Sequence, residues 1–113
     1  MEVFFESRNT EGAKLREMAL MRARFVLRRL AWLVPTVRVR LSETTDPGRG
    51  TDKHCRVEVE THGRGAVIVH TRSGNWRAAL DTALERAARL LLRASRRIDA
   101  MGRTRRPALD FRR

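Results

Sequence analysis

The sequence predicts an α+β fold, a two-layer sandwich in which a four-stranded sheet carries two helices on one face, in the order β-α-β-β-β-α. Two observations predict it. Four segments alternate apolar and polar residues with the period of a strand, and two longer segments repeat apolar residues at helical spacing. Each of the six elements therefore has one apolar side, and placing the two helices on the apolar face of the sheet buries the apolar sides of all six. The 113 residues suffice for one domain with a modest core.

The first half of the chain predicts a strand, a long helix and a second strand. Residues 2–7 alternate, and Asn9 or Thr10 offers an N-cap for a helix over about residues 11–33, which a following proline ends. Residues 36–42 alternate again and predict the second strand. The apolar face of this helix comprises Leu15, Met18, Ala19, Ala23, Val26, Leu30 and Leu33.

The middle of the chain predicts two further strands. Residues 43–54 are polar and contain an Asp-Pro-Gly turn sequence, which predicts a loop. Residues 55–61 alternate and predict the third strand, and residues 62–65 predict a hairpin loop. The fourth strand, residues 66–72, opens with a run of four apolar residues, which predicts that it is more buried than the others.

The last helix is predicted over about residues 76–98. Ser73-Gly74-Asn75 is its expected capping site, and Gly102 is its expected end. We therefore expect one domain over residues 1–101 and a basic, flexible tail over residues 102–113. The apolar stripe of the helix comprises Trp76, Leu80, Ala83, Ala87, Leu91, Ala94 and Ile98.

The charge of the chain is its main functional signal. Lys and Arg total 25 against 13 Asp and Glu, which gives a net charge of +12, and only Lys14 and Lys53 are lysines. The arginine guanidinium is a planar fork of donors that matches phosphate and also stacks on bases. A polyanion relieves the self-repulsion of such a chain, so nucleic acid is the first partner to expect and an anionic lipid surface the second.

Both helices carry the candidate RNA-binding residues. The last helix places arginines together on one flank of its apolar stripe, and the first helix adds three more. A solvated face that keeps the protein soluble is the alternative, because most charged surfaces are only that. We favour nucleic-acid binding, since five arginines at this spacing repel one another without an anion. The candidates are Arg22, Arg28, Arg29, Arg86, Arg89, Arg93, Arg96 and Arg97.

No enzymatic chemistry is predicted. The spacing of Cys55 and the three histidines matches no common zinc pattern, and Cys55 falls on the inward side of its strand. No acidic pair and no phosphate-cradling glycine loop stands out. We expect no catalytic residue, no metal, no cofactor, no small-molecule substrate and no membrane partner. A single cysteine suits a reducing, cytoplasmic compartment.

Three stretches of the chain carry a resemblance to a known family. Ser7-Arg8-Asn9 follows the first strand, Leu15-Arg16-Glu17 lies early in the first helix, and residues 75–81 open the last helix with the sequence Asn-Trp-Arg-Ala-Ala-Leu-Asp. Together with the order of elements, over about residues 1–98, they resemble the short form of the ribosome hibernation-promoting factor family, which includes the ribosome-associated translation inhibitors. The chain departs from the family where Arg77 replaces a tyrosine and Ser7 a glycine.

The resemblance implies a function. Members of that family bind the small ribosomal subunit in the channel for mRNA and tRNA, contact its rRNA through basic residues on both helices, block translation and protect idle ribosomes under stress. Arg86, Arg89 and Arg93 stand where the family carries Lys or Arg, and Arg22 is a match on the first helix. The implied protein is a monomer off the ribosome.

Two other functions remain open from the sequence. A general double-stranded RNA or DNA binder needs the same arginines, and a basic protein-interaction module with an acidic partner needs the same charge. The first would bind bare duplex as well as it binds ribosomes, and the second would ignore RNA at low salt.

Overall fold

The computed structural model describes residues 1–8, 11–48, 50–63 and 65–105, with side chains as far as residue 96. It confirms the predicted α+β order. The elements are β1 (Glu2–Ser7), α1 (Gly12–Val26), a 3₁₀ turn (Arg28–Leu30), β2 (Thr36–Asp46), β3 (Gly50–Glu60), β4 (Ala66–Ser73) and α2 (Trp76–Arg105).

The four strands form one mixed sheet in the order β1-β2-β3-β4. β1 is parallel to β2, and the two following pairs are antiparallel. The parallel pair needs a crossover, which α1 supplies, whereas the antiparallel pairs need only hairpins. β1 and β4 are therefore the edge strands.

The core lies between one face of the sheet and the two helices, as predicted. Alternate residues of the central strands are almost fully buried, and alanines on the helices let the helix backbones approach the sheet closely. The predicted Trp76 opens the buried stripe of α2 and is 8% exposed. The most buried members, at most 1% exposed, are Ala19, Ala23, Leu27, Val34, Val37, Val39, Leu41, Cys55, Val57, Val59, Ala79, Leu80, Ala83, Leu84, Ala87 and Leu91.

The first helix is shorter than predicted. α1 ends at Val26, and the chain continues through a 3₁₀ turn, in which Leu30 N donates to Leu27 O and Leu33 N to Leu30 O, both at 2.9 Å. These three leucines are spaced by three residues, which is the period of a 3₁₀ helix, and all are buried. Leu27 N still donates to Ala23 O at 3.0 Å, as in an α-helix, so the tighter winding begins after Leu27.

The predicted polar loop over residues 43–54 is wrong, because β2 and β3 continue through it as a long hairpin. Cross-strand pairs account for the extension: Lys53 Nζ donates to Glu43 Oε2, and the Thr45 and Thr51 hydroxyls lie 3.3 Å apart. The predicted turn at its tip is confirmed, with Gly48 N donating to Asp46 Oδ1 at 2.9 Å.

The prediction that β4 is a more buried strand is also wrong. β4 is an edge strand with only one face against the helices. Val69 and Thr71 point into the core and are 7% and 5% exposed, whereas Ile68 between them is 54% exposed. An apolar run alone does not distinguish a central strand from an edge strand.

The helix ends agree with the sequence in part. Ala78 N donates to Asn75 Oδ1 at 3.0 Å, so the predicted cap of α2 is confirmed. α2 continues through Gly102, its predicted end, to Arg105. At α1, Glu11 occupies the N-cap position; the predicted caps Asn9 and Thr10 lie outside the described residues, as do residues 106–113 of the predicted tail.

Candidate nucleic-acid interface

The outer side of α2 carries a stripe of exposed arginines, Arg86, Arg89, Arg93 and Arg96, here called the α2 arginine stripe. Their spacing of three, four and three residues repeats with the helix, which places them away from the buried residues of the same helix. Within the described part of the chain, none of the four forms an ion pair. The fifth predicted member, Arg97, lies in α2, and its side chain is outside the described residues.

The acidic side chains of α2 that the structure describes, those of Asp81 and Glu85, form no ion pair with this stripe. Asp81 accepts a hydrogen bond from Arg22 Nε at 2.9 Å and lies 3.8 Å from Arg77 Nε, so its charge is already shared between two arginines. Glu85 is exposed on the same helix and forms no ion pair with any described residue. The stripe therefore presents concentrated positive charge, a surface suited to phosphates.

The predicted residues of the first helical segment have unequal surroundings. Arg22 is half-buried between the helices, where its ion pair with Asp81 joins α1 to α2. Arg28, in the 3₁₀ turn, donates to Phe25 O at 2.6 Å and lies over the Phe25 ring at 4.2 Å. Arg29 is exposed. Arg22 thus has a structural partner, whereas Arg28 and Arg29 keep donors for a ligand.

The structure adds three cations to α1 that the sequence analysis did not select. Lys14, Arg16 and Arg24 are exposed and unpaired with any described carboxylate. The signal was present, since all three lie off the apolar face of a 3.6-residue helix.

The open face of the sheet differs from the helix layer. Each described arginine on it has a carboxylate partner, so this face is close to electrically neutral. Phe4 is 45% exposed there, with the Arg38 guanidinium 5.0 Å from its ring. The four pairs are Arg38–Glu60 at 4.0 Å, Arg40–Glu6 at 2.6 Å, Arg56–Glu58 at 3.1 Å and Arg72–Asp52 at 3.9 Å.

A shallow groove of about 440 Å³ runs between edge strand β4 and α2. Its polar lining includes His70, Arg72, Ser73, Thr82 and Arg86. Because Arg86 belongs both to this groove and to the α2 arginine stripe, the stripe borders the groove. The groove is open and polar, a shape suited to an extended anionic chain.

The remaining reactive side chains do not form a catalytic centre. Burial raises the pKa of the Cys55 thiol to about 12, so the thiol stays protonated and is a poor nucleophile. Two of the three histidines pair with each other, His54 Nδ1 lying 3.2 Å from His70 Nε2. Among the described residues, no group of three or more His, Cys, Asp or Glu side chains is arranged to hold a metal ion.

No helix among the described residues combines the length and the apolar content that crossing a bilayer would need.

Comparison with known proteins identifies the fold. No protein-family model matches the sequence, and no curated protein matches it. Among solved structures, the N-terminal domain of Thermus thermophilus Protein Y superposes with a TM-score of 0.63 at 18% identity, over 83% of this chain and 99% of that one. The chain therefore has the fold of the Protein Y N-terminal domain.

A second structure supports the same assignment. A ribosomal subunit interface protein from Coxiella burnetii superposes with a TM-score of 0.68 at 10% identity, over 84% of this chain and 98% of that one. The fold that the sequence resemblance implied is confirmed, and this chain covers nearly the whole length of both structures.

Proposed function

We propose that this protein is a ribosome hibernation factor that binds the small ribosomal subunit through its helix layer. In this proposal the α2 arginine stripe, with Arg28 and Arg29, contacts rRNA phosphates in the channel used by mRNA and tRNA. The folded domain then occupies space that those ligands need, so translation stops while the protein is bound. The protein acts in the cytoplasm without a cofactor, and it is not an enzyme.

One observation carries the proposal: the arginines are divided between the two faces of the protein. The sheet arginines are each paired with a carboxylate, whereas the α2 stripe has no such partner among the described residues. Unpaired arginines at helical spacing repel one another, and phosphates relieve that repulsion by bidentate contacts. RNA offers phosphates in a row, which matches a stripe better than a single small anion does.

The comparisons support the choice of RNA-bearing partner. This chain covers almost the whole length of each of the two structures compared above. One of the two is described as a ribosomal subunit interface protein. The sequence resemblance to the hibernation-promoting factor family points to the same partner. Neither a general duplex binder nor a basic protein-interaction module accounts for these likenesses.

Binding of this kind is electrostatic. Each phosphate contact releases condensed counterions, so the affinity falls as salt rises, with a logarithmic slope of about 0.7 to 0.9 per phosphate neutralised. The mechanism needs no chemical step. It requires that the domain be folded before it binds, because a preformed arginine stripe loses less conformational entropy on binding than a flexible one.

The test compares two variants of equal charge. R86Q/R89Q/R93Q replaces three arginines of the α2 arginine stripe, and R38Q/R40Q/R72Q replaces three arginines of the sheet face. We expect the first variant to bind small subunits at least about a hundredfold more weakly and its salt slope to fall by about 2 to 3. We expect the second variant to stay within about threefold of the unmodified protein. Filter binding over a salt series measures both quantities.

The matched variant makes the result specific to the face. Equal weakening by both triple changes would mean that only the net charge matters, which contradicts the proposed interface. Binding to an acidic protein but not to RNA at low salt would favour the basic protein-interaction module instead.

A further inference from the structure

An exposed aromatic ring lies inside the arginine-rich surface of α1. Phe25 is 55% exposed and is not part of the core cluster. Two guanidinium groups lie against its ring, that of Arg28 at 4.2 Å from the centroid and that of Arg22 at 5.5 Å. Arg22 continues the contact to Asp81 on α2. The ring is therefore held by its neighbours at the junction of the two helices.

Stability alone does not account for this ring. Arg28 donates to Phe25 O, which satisfies a backbone carbonyl in the last turn of α1, and any side chain at position 25 would present that carbonyl. The Arg28 guanidinium covers part of the ring but leaves more than half of the residue in solvent. A polar or small side chain would avoid that exposed apolar area.

The surroundings of the ring indicate what could cover it. Arg24, Arg28 and Arg29 flank it and have no ion pair within the described chain, and Asp81 is already shared by two arginines. An acidic partner with flat rings along its backbone fits both features, and a nucleic acid has that chemistry. Bases stack on aromatic side chains and on arginine planes wherever they are not paired with another base.

We infer that Phe25 stacks on an unpaired base of the bound RNA, while Arg28 contacts an adjoining phosphate. Arg28 has five N–H donors and uses one of them on Phe25 O, so donors remain for a phosphate oxygen. This inference rests on the proposed function, and it deepens it: the RNA segment at α1 has a base that is bulged or looped out. The α2 stripe binds backbone and needs no unpaired base.

The experiment measures the binding of two RNA hairpins that differ by one bulged nucleotide in the stem and are closed by a non-nucleotide linker, so that neither has an unpaired base in a loop. The unmodified protein should prefer the bulged hairpin by about fivefold to a hundredfold, the range expected for stacking of one base on an aromatic ring. Phe25→Leu keeps an apolar side chain of similar size and removes the flat ring, so the preference should disappear while the plain hairpin is bound as before. Phe25→Trp keeps a flat ring and should retain the preference.

The controls separate this inference from the proposed function. R86Q/R89Q/R93Q should weaken the binding of both hairpins equally and leave their ratio unchanged; if it weakens neither, the proposed function fails whatever Phe25 does. Three results overturn the stacking role alone. The unmodified protein could bind both hairpins equally well, Phe25→Leu could keep the preference for the bulged hairpin, or Phe25→Leu could lose affinity equally for both hairpins. Thermal unfolding of each variant shows whether the fold is retained, and Phe25→Trp provides the comparison if Phe25→Leu unfolds.

Discussion

Arginine side chains in this protein fall into two groups, according to whether a carboxylate lies within contact distance. Arg40 on the sheet is 2.6 Å from Glu6, and Arg22 between the helices is 2.9 Å from Asp81. Arg89 and Arg93 on α2 have no such partner among the described residues. The same residue type therefore serves structure at one position and is free to bind an anion at another, which net charge alone does not reveal.

Cys55 gives a prediction at this scale. Burial raises the pKa of its thiol from 9.0 to about 12, because the thiolate is poorly solvated in the core. The folded state thus favours the neutral thiol. The stabilising contribution of the buried neutral thiol is complete below pH 9.0 and is lost as the pH rises from there toward 12. We expect the free energy of unfolding to fall in that window by at most about 1.4 kcal/mol per pH unit.

Cys55→Ala provides the control. It should lower the free energy of unfolding at pH 7 by about 1 kcal/mol, because it removes one buried atom, and it should remove this part of the alkaline decline. Urea denaturation at a series of pH values measures both proteins, and every other pH-dependent contribution is common to both and cancels in the comparison. Parallel pH curves for the two proteins would show that the thiol does not titrate in this way.

At the scale of elements, the cap of α2 positions the arginine stripe. Asn75 Oδ1 accepts from Ala78 N, which satisfies a free N–H in the first turn of α2. Thr71 Oγ1 on β4 donates to Ala79 O at 2.6 Å, so the same turn is also attached to the sheet. The direction in which α2 leaves the sheet is therefore fixed by local hydrogen bonds as well as by the buried stripe.

Asn75→Ala should lower the free energy of unfolding by about 1 kcal/mol, because the cap hydrogen bond is lost. Asn75→Asp, which keeps an acceptor oxygen at this position, should retain most of the stability. Chemical denaturation measures the difference. RNA affinity should stay within about twofold for both variants, since neither alters the stripe; a large loss of affinity in Asn75→Ala at temperatures where it is folded would mean that the cap has a direct role in binding.

Most of the helices and strands were predictable from the sequence. The spacing of apolar residues predicted six elements in the right order and the buried stripes of both helices. It did so because residues that face the core recur with the period of the strand or helix that carries them. Local patterns failed where tertiary context decides. The residues of the β2–β3 extension are polar, and only their pairing across the hairpin makes them strands; Ile68 is apolar, and only its place on an edge strand exposes it.

The candidate site was predictable in the same uneven way. The arginines of α2 could be placed on one flank by helical spacing alone, and the structure finds those with described side chains exposed. The ion-pair partner of Arg22 could not be predicted, because Asp81 is 59 residues away in the chain and contacts Arg22 only when the two helices pack together. The exposure of Phe25 likewise depends on where α1 ends and the 3₁₀ turn begins.

At the scale of the whole molecule, the fold separates two surfaces with different electrostatic character. The sheet balances its charges within itself, and the helix layer leaves its positive charge uncompensated. Among the described residues, the unpaired positive charge is therefore concentrated on the helix side of a small domain. Such a distribution orients the protein as it approaches a polyanion, so that the helix layer meets the RNA first.

The most direct test of the central claim is co-sedimentation with purified small ribosomal subunits in a sucrose gradient at near-physiological salt, with bare RNA duplex in excess. The account predicts that the protein migrates with empty subunits despite the duplex, and that subunits already filled with mRNA and tRNA do not carry it. Loss of the protein to the duplex would contradict the account and leave a general nucleic-acid binder. Equal binding to filled subunits would contradict the proposed position in the channel.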